Sequence, residues 1–182
     1  IINGINEVTR ATPTSVAALV LLARHRRGVA EGDFYQRADR VLELLDAISA
    51  RVSTTPHAST RKAALRQAMG RFADEGLIQM EPAKDGTTVF QIPDAGRCAL
   101  DYYRNNIIHF FVPMAIVCAA VLGGGDRPVP QVEVERRARR MSSVLKGEFS
   151  FRVDQQFEAN FKQAIEFLQE RRTLDVTELD GE

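Results

Sequence analysis

A mainly α-helical domain carrying one small β-hairpin is the fold class this sequence predicts, and three observations lead there. Apolar residues recur at spacings of three and four along most of the chain (Phe34, Ala38, Val41, Leu45, Ile48 and Val52, for example), the pattern of one buried helix face. Only two short stretches, residues 77–81 and 87–92, read as strands, and Asp85-Gly86 between them supplies hairpin turn chemistry. Turn-forming residues gather at a few points, above all Gly123-Gly124-Gly125-Asp126-Arg127-Pro128, which leaves the helices between them long.

Taken in order, the chain opens at Ile1-Ile2 without a methionine, and Ile2, Ile5 and Val8 already read as a helical stripe. We expect such a start of a piece of a longer polypeptide. Thr12 is placed to cap a helix whose first turn tolerates Pro13, because the missing N–H of proline has no helical partner there anyway. This helix is apolar on all sides (VAALVLLA) and must be buried; it should run to about Arg24, with His25, Arg26 and Arg27 at its negative end and Gly28 as its C-cap.

Residues 31–52 form a long amphipathic helix, and 53–57 break it. Ser59 opens the next helix, with Leu65, Ala68, Met69 and Phe72 inward and Gly76 as its stop. The hairpin follows. With the two helices before it, the hairpin has the order of a winged helix, so residues 31–92 are expected as a winged-helix-like subdomain. Residues 94–122 continue the helical core of residues 1–122, with Asn105-Asn106 and Pro113 as places to bend or break. Beyond the glycine linker, 129–173 read as a C-terminal helical pair: one helix over 129–144 with Arg136, Arg137, Arg139 and Arg140 on its surface, and one from Val153 with Phe157, Phe161, Ala164, Ile165 and Leu168 inward. The tail, 174–182, is acidic and expected to fray.

Composition narrows the function classes. At 182 residues, 45% hydrophobic and 26% charged, the chain can bury one sizeable core or a core and a small subdomain. The formal net charge is +0, so the whole chain has no electrostatic pull toward nucleic acid or an anionic membrane. Residues 1–72 nevertheless carry 11 basic and 6 acidic groups, against 4 and 9 in residues 73–135, which leaves the first third able to meet a phosphate-bearing partner. Cys98 and Cys118 lie far apart without a CxxC and read as two buried reduced thiols. No signal or transit segment is evident. The longest apolar run, residues 107–122, is interrupted by His109 and Pro113 and falls short of the roughly 20 residues a membrane span needs.

Within that run lies the candidate site. Tyr103, Arg104, Asn105, Asn106 and His109 form a polar knot amid aromatic and aliphatic residues, where each polar group is costly unless partnered. One reading is a buried network in which His109 pairs with Asn105 one turn earlier; the other is an interface. No second ligand sits at metal spacing from His109, so neither a metal nor a cofactor is expected.

Three segments, YYRNNIIHFFVP (102–113), INEVTRATPTSVAALVLLARHRRGV (5–29) and VLKGEFSFR (144–152), resemble the C-terminal region of membrane-associated glycerol-3-phosphate and dihydroxyacetone-phosphate acyltransferases. That resemblance implies an enzyme that moves an acyl group from acyl-CoA or acyl carrier protein to the sn-1 hydroxyl of glycerol 3-phosphate at the cytoplasmic membrane face. Such enzymes rely on a His-x4-Asp pair for deprotonating the hydroxyl. Here the residues that would hold the acid are Ala30, Lys62 and Met114, and a Gly-Arg-Ser phosphate loop is also missing. No catalytic residue is therefore assigned. The resemblance implies instead an accessory region whose partner is the acyltransferase module of the same polypeptide, met through the basic first third or the knot, with a membrane surface as a further partner. On that reading Arg136–Arg140 either face water or meet headgroups, and Phe110-Phe111 lie in the core or in an interfacial helix. DNA binding by the helix with Arg61, Lys62, Arg66 and Arg71 is the rival from another class; the zero net charge and the acidic wing with Glu81 and Asp85 argue against it.

Overall fold

Thr12 shows how directly local chemistry sets the first element. In this computed structural model, which describes residues 10–23, 28–48, 50, 52, 58–145 and 157–177, its hydroxyl accepts from the backbone N–H of Ser15 at 3.2 Å. The Ser15 hydroxyl in turn accepts from the Thr12 N–H at 2.9 Å, a reciprocal cap. The helix it starts, α1 (Pro13–Leu22), is buried on every side, as its all-apolar sequence requires, and packs against three other helices.

The chain falls into two compact units, divided between Ile108 and His109. The first holds α1, β1 (Gly28–Ala30), α2 (Glu31–Ala47), α3 (Ala58–Asp74), the hairpin strands β2 (Gln79–Pro82) and β3 (Thr88–Gln91), and α4 (Asp94–Ile108). Its core joins Val16, Val20 and Leu21 of α1 to Phe34 and Leu45 of α2, Leu65 and Phe72 of α3, Phe90 of β3 and Leu100 of α4. The second unit is built from α5 (Val112–Leu122), α6 (Gln131–Leu145) and α7 (Phe157–Glu170). Val117, Ala120, Ala138, Phe161 and Leu168 are among the side chains that close its core.

Several expectations hold. Leu65, Ala68, Met69 and Phe72 are the inward face of α3, and Gly76, at φ +71°, ends the turn after it. The hairpin turn is closed by Asp85, whose carboxylate accepts from the Thr87 N–H at 3.0 Å, with Gly86 at φ +82°.

Other expectations are corrected. Gly28 does not cap α1; Ala23 does, and Gly28 opens a third strand that the sequence reading missed. The sheet order is β1-β3-β2, with Val29 opposite Phe90 and Met80 on the other side of it. Three residues are too few to display a period of two, so β1 exists only because β3 offers it a free edge. The helix expected over 31–52 stops at Ala47, and Val52 instead bridges Ala11. Leu42, not Val41, is the buried member of its stripe.

The stretch 94–122 is two helices. Pro113 sits in the first turn of α5, and a continuous helix would have needed its missing N–H to reach the His109 carbonyl, so the chain breaks at 109–111, beginning four residues before the proline. The division into units falls at that break. Cys98 is exposed and not buried, while Cys118 is half-buried and its thiol pKa is pushed up by that burial. The expectations about residues 1–9, the cluster His25 to Arg27, the breaker 53–57, the segment 146–156 and the last five residues lie outside the described residues.

Candidate functional site

The last two turns of α4 and the break after it carry every residue of the polar knot. Leu100 and Ile107 point inward and are fully buried, which turns Tyr102, Asn105 and Asn106 outward. Arg104 is half-buried and held twice: Nη1 lies 2.9 Å from Asp101 Oδ1, and Nη2 donates to Asn105 Oδ1 at 3.1 Å. Tyr103 lays its ring on Phe72 at 5.1 Å, covering the core of the first unit. His109, in the second unit, packs against Phe110 with ring centroids 4.1 Å apart. Its Nε2 is buried and has no hydrogen-bond partner among the described residues, and burial lowers its pKa from the ordinary histidine value.

The knot is therefore not one buried network. Asn105 is exposed and spends its carbonyl oxygen on Arg104, Asn106 faces water, and the His109 imidazole is shielded by apolar packing. A one-turn spacing in sequence does not make a hydrogen bond when the helix ends inside the interval. Tyr102, outside the candidate set, is 71% exposed, more than any other aromatic side chain among the described residues. Spacing alone sets it in one row with Asp94, Cys98 and Asn106, each four residues from the next, but which row of the helix faces water is decided by the burial of Leu100 and Ile107.

The basic clusters are largely neutralised from within. On α3, Arg61 donates to Asp46 of α2 at 2.6 Å, Arg71 to Glu75 at 2.9 Å, and the Lys62 ammonium lies 5.2 Å from the centre of the Tyr35 ring. On α6, Arg136 and Arg137 both donate to Glu133 at 2.7 Å, and those bonds, Arg136 first, hold its carboxyl down to about 2. Arg137 also reaches the Ala120 carbonyl at the end of α5 at 3.2 Å, a cation at the negative end of a helix. Arg139 joins Glu135 and Glu158 at 2.8 Å each and lies over Phe157, tying α6 to α7. Three of the four arginines of this helix thus act within the unit.

Among the described residues no group of three His, Cys, Asp or Glu side chains is placed to hold a metal ion. No single described helix is long and apolar enough to cross a membrane; α4 and α5 reach that length only when taken together across their break.

Fold and site define a class: a mainly α-helical chain of two units with a small antiparallel sheet, whose polar side chains are mostly engaged with one another or turned to water. The family follows from comparison. A family model described as the glycerol-3-phosphate acyltransferase C-terminal region matches residues 1–182, and the chain belongs to that family. Among curated relatives, a glycerol-3-phosphate acyltransferase of Shewanella amazonensis is 25% identical over 149 residues, covering 81% of this chain and 18% of its own length. One of Pseudomonas fluorescens is 25% identical over 170 residues (88% and 20%), and one of Xanthomonas axonopodis pv. citri 25% over 181 residues (97% and 19%). The chain thus spans about a fifth of the length of the curated relatives it matches.

Proposed function

We propose that this chain is the C-terminal, non-catalytic part of a glycerol-3-phosphate 1-O-acyltransferase. The parent transfers an acyl group from acyl-CoA or acyl carrier protein to the sn-1 hydroxyl of glycerol 3-phosphate in phospholipid synthesis, seated peripherally at the cytoplasmic face of the membrane. The observation that carries this is the family match over residues 1–182, joined to relatives named for that activity in which the matched region is about a fifth of the whole. The sequence supports the division of labour, because none of its three histidines is followed at the fifth position by an acid that could orient it as a general base.

We read residues 31–92, within the order α1-β1-α2-α3-β2-β3, as a winged-helix-like subdomain that serves as a docking module and not as a reader of DNA. Arg61, Lys62 and Arg71 already have partners in their own unit, where a DNA reader would hold them free for phosphates. Retention on random duplex DNA with a steep salt dependence is the result that would favour the nucleic-acid reading.

Acyl transfer by the separately made N-terminal part, with and without this chain, tests the proposal. The chain alone should esterify no glycerol 3-phosphate, and the mixture should be more active than the N-terminal part by itself. Activity of the isolated chain, or a mixture no more active than its N-terminal component, overturns it.

A further inference from the structure

We propose that the outward face of α4, formed by Cys98, Tyr102 and Asn106 with Asn105 beside them, is where the acyltransferase-bearing remainder of the polypeptide docks. This rests on the reading above, and adds to it the face and its anchor. The occupant is set by length: about four-fifths of each relative lies outside the matched region, so a large partner in the same polypeptide is at hand.

The choice of face comes from its chemistry. Tyr102 is 71% exposed, and a tyrosine ring is the kind of large amphipathic side chain that supplies binding energy once it is covered. Asn105 is fixed by Arg104, which Asp101 in turn neutralises, so the end of the row presents one oriented amide, the solvent-facing amide of Asn106 and no uncompensated cation. Docking there desolvates little net charge. The main rival, the row Val132, Arg136, Arg140 and Val144 on α6, would have to desolvate the Arg136–Glu133 ion pair and the Arg140 guanidinium to bury two valines. The α4 face is also rigid. Leu100 and Ile107 are fully buried beneath it, and Gly96 lies so close to Leu77 that a Cβ would strike the Leu77 carbonyl oxygen. A face held this firmly loses little entropy when it is covered.

Cys98 is a ready reporter, being exposed one turn before Tyr102, while Cys118 is half-buried. The experiment compares N-ethylmaleimide alkylation of Cys98, read by peptide mass spectrometry, in the 182-residue chain and in the full-length polypeptide at one pH. Alkylation should be slower by about tenfold or more in the full-length polypeptide, since a covered thiol reacts only when its cover opens. Tyr102→Asp, with helix content unchanged by circular dichroism, should restore the fast rate. Equal rates in a full-length polypeptide that is active in acyl transfer overturn this face and leave the proposed function standing. A folded full-length polypeptide that transfers no acyl group sinks the reading on which the face rests. Protection of the short chain that grows with its own concentration assigns the face to a second copy and overturns the proposal as well.

Discussion

Gly96 in the first turn of α4 allows a test of packing in which one methyl group decides the sign. A Cβ added there would run into the Leu77 carbonyl oxygen and come within 3.0 and 3.1 Å of the carbon and Cα of the same residue, all of it backbone. Ordinary carbon contacts lie at about 3.5–4.0 Å, so α4 and the Leu77 segment must separate by a substantial fraction of an ångström. Overpacking of this kind costs about 1–3 kcal/mol, and no rotamer change can relieve a clash with main chain. Alanine recovers up to about 1 kcal/mol of helix propensity, less in a first turn. Gly96→Ala should therefore destabilise by about 1–2 kcal/mol, lowering Tm by roughly 5–15 °C in a unit of this size. Gly70, inside α3, is the control: nothing lies within 4 Å of its would-be Cβ, so Gly70→Ala should stabilise by about 0.5–1 kcal/mol. Urea titrations followed by circular dichroism on the two variants measure both signs. A Gly96→Ala protein as stable as the parent would refute the close approach of α4 to Leu77 and the rigidity argued from it.

Phe72→Ala should cost about 3–5 kcal/mol, because the ring is fully buried and supports Tyr103, and a cost below about 1 kcal/mol in urea unfolding would contradict its place in the core. For His109, burial lowers the folded-state pKa below the unfolded value of 6.5, so the unfolded chain binds this proton first. Its effect on stability is nil above the unfolded pKa, grows unfavourable as pH falls from there to the folded pKa, and is constant below. An NMR titration should place the His109 midpoint below 6.5, and His109→Phe should flatten the loss of stability across that window; an unchanged slope would remove His109 from the cause.

Much of the first unit was legible because its signals are local. Thr12-Pro13 announces α1 through a cap that only neighbouring residues make, and Asp85-Gly86 announces the hairpin through a side chain that bonds two residues on. The inward face of α3 follows from spacing alone. Strand β1 was not legible, since Gly28–Ala30 has no pattern until Phe90 stands opposite Val29. The end of α2 was misplaced for a related reason: periodicity continues to Val52, but Val52 is claimed by Ala11 from far along the chain. In the knot, the presence of costly polar groups was readable, but their partners were not. Arg104 could have reached several acceptors, and the fold selected Asp101 and Asn105 while leaving His109 Nε2 with none among the described residues.

The sequence by itself determined the helical class, the Thr12 cap, the Asp85-Gly86 turn, the inward face of α3, and the lack of a histidine paired with an acid at catalytic spacing. Each of these depends on residues within a few positions of one another. Only the tertiary structure decided where one unit ends and the next begins, which strand completes the sheet, and that Tyr102 faces water while Tyr103 covers Phe72. Two adjacent tyrosines are chemically identical. What separates them is the direction in which a helix must turn to bury Leu100 and Ile107, and that direction exists only once another helix lies alongside.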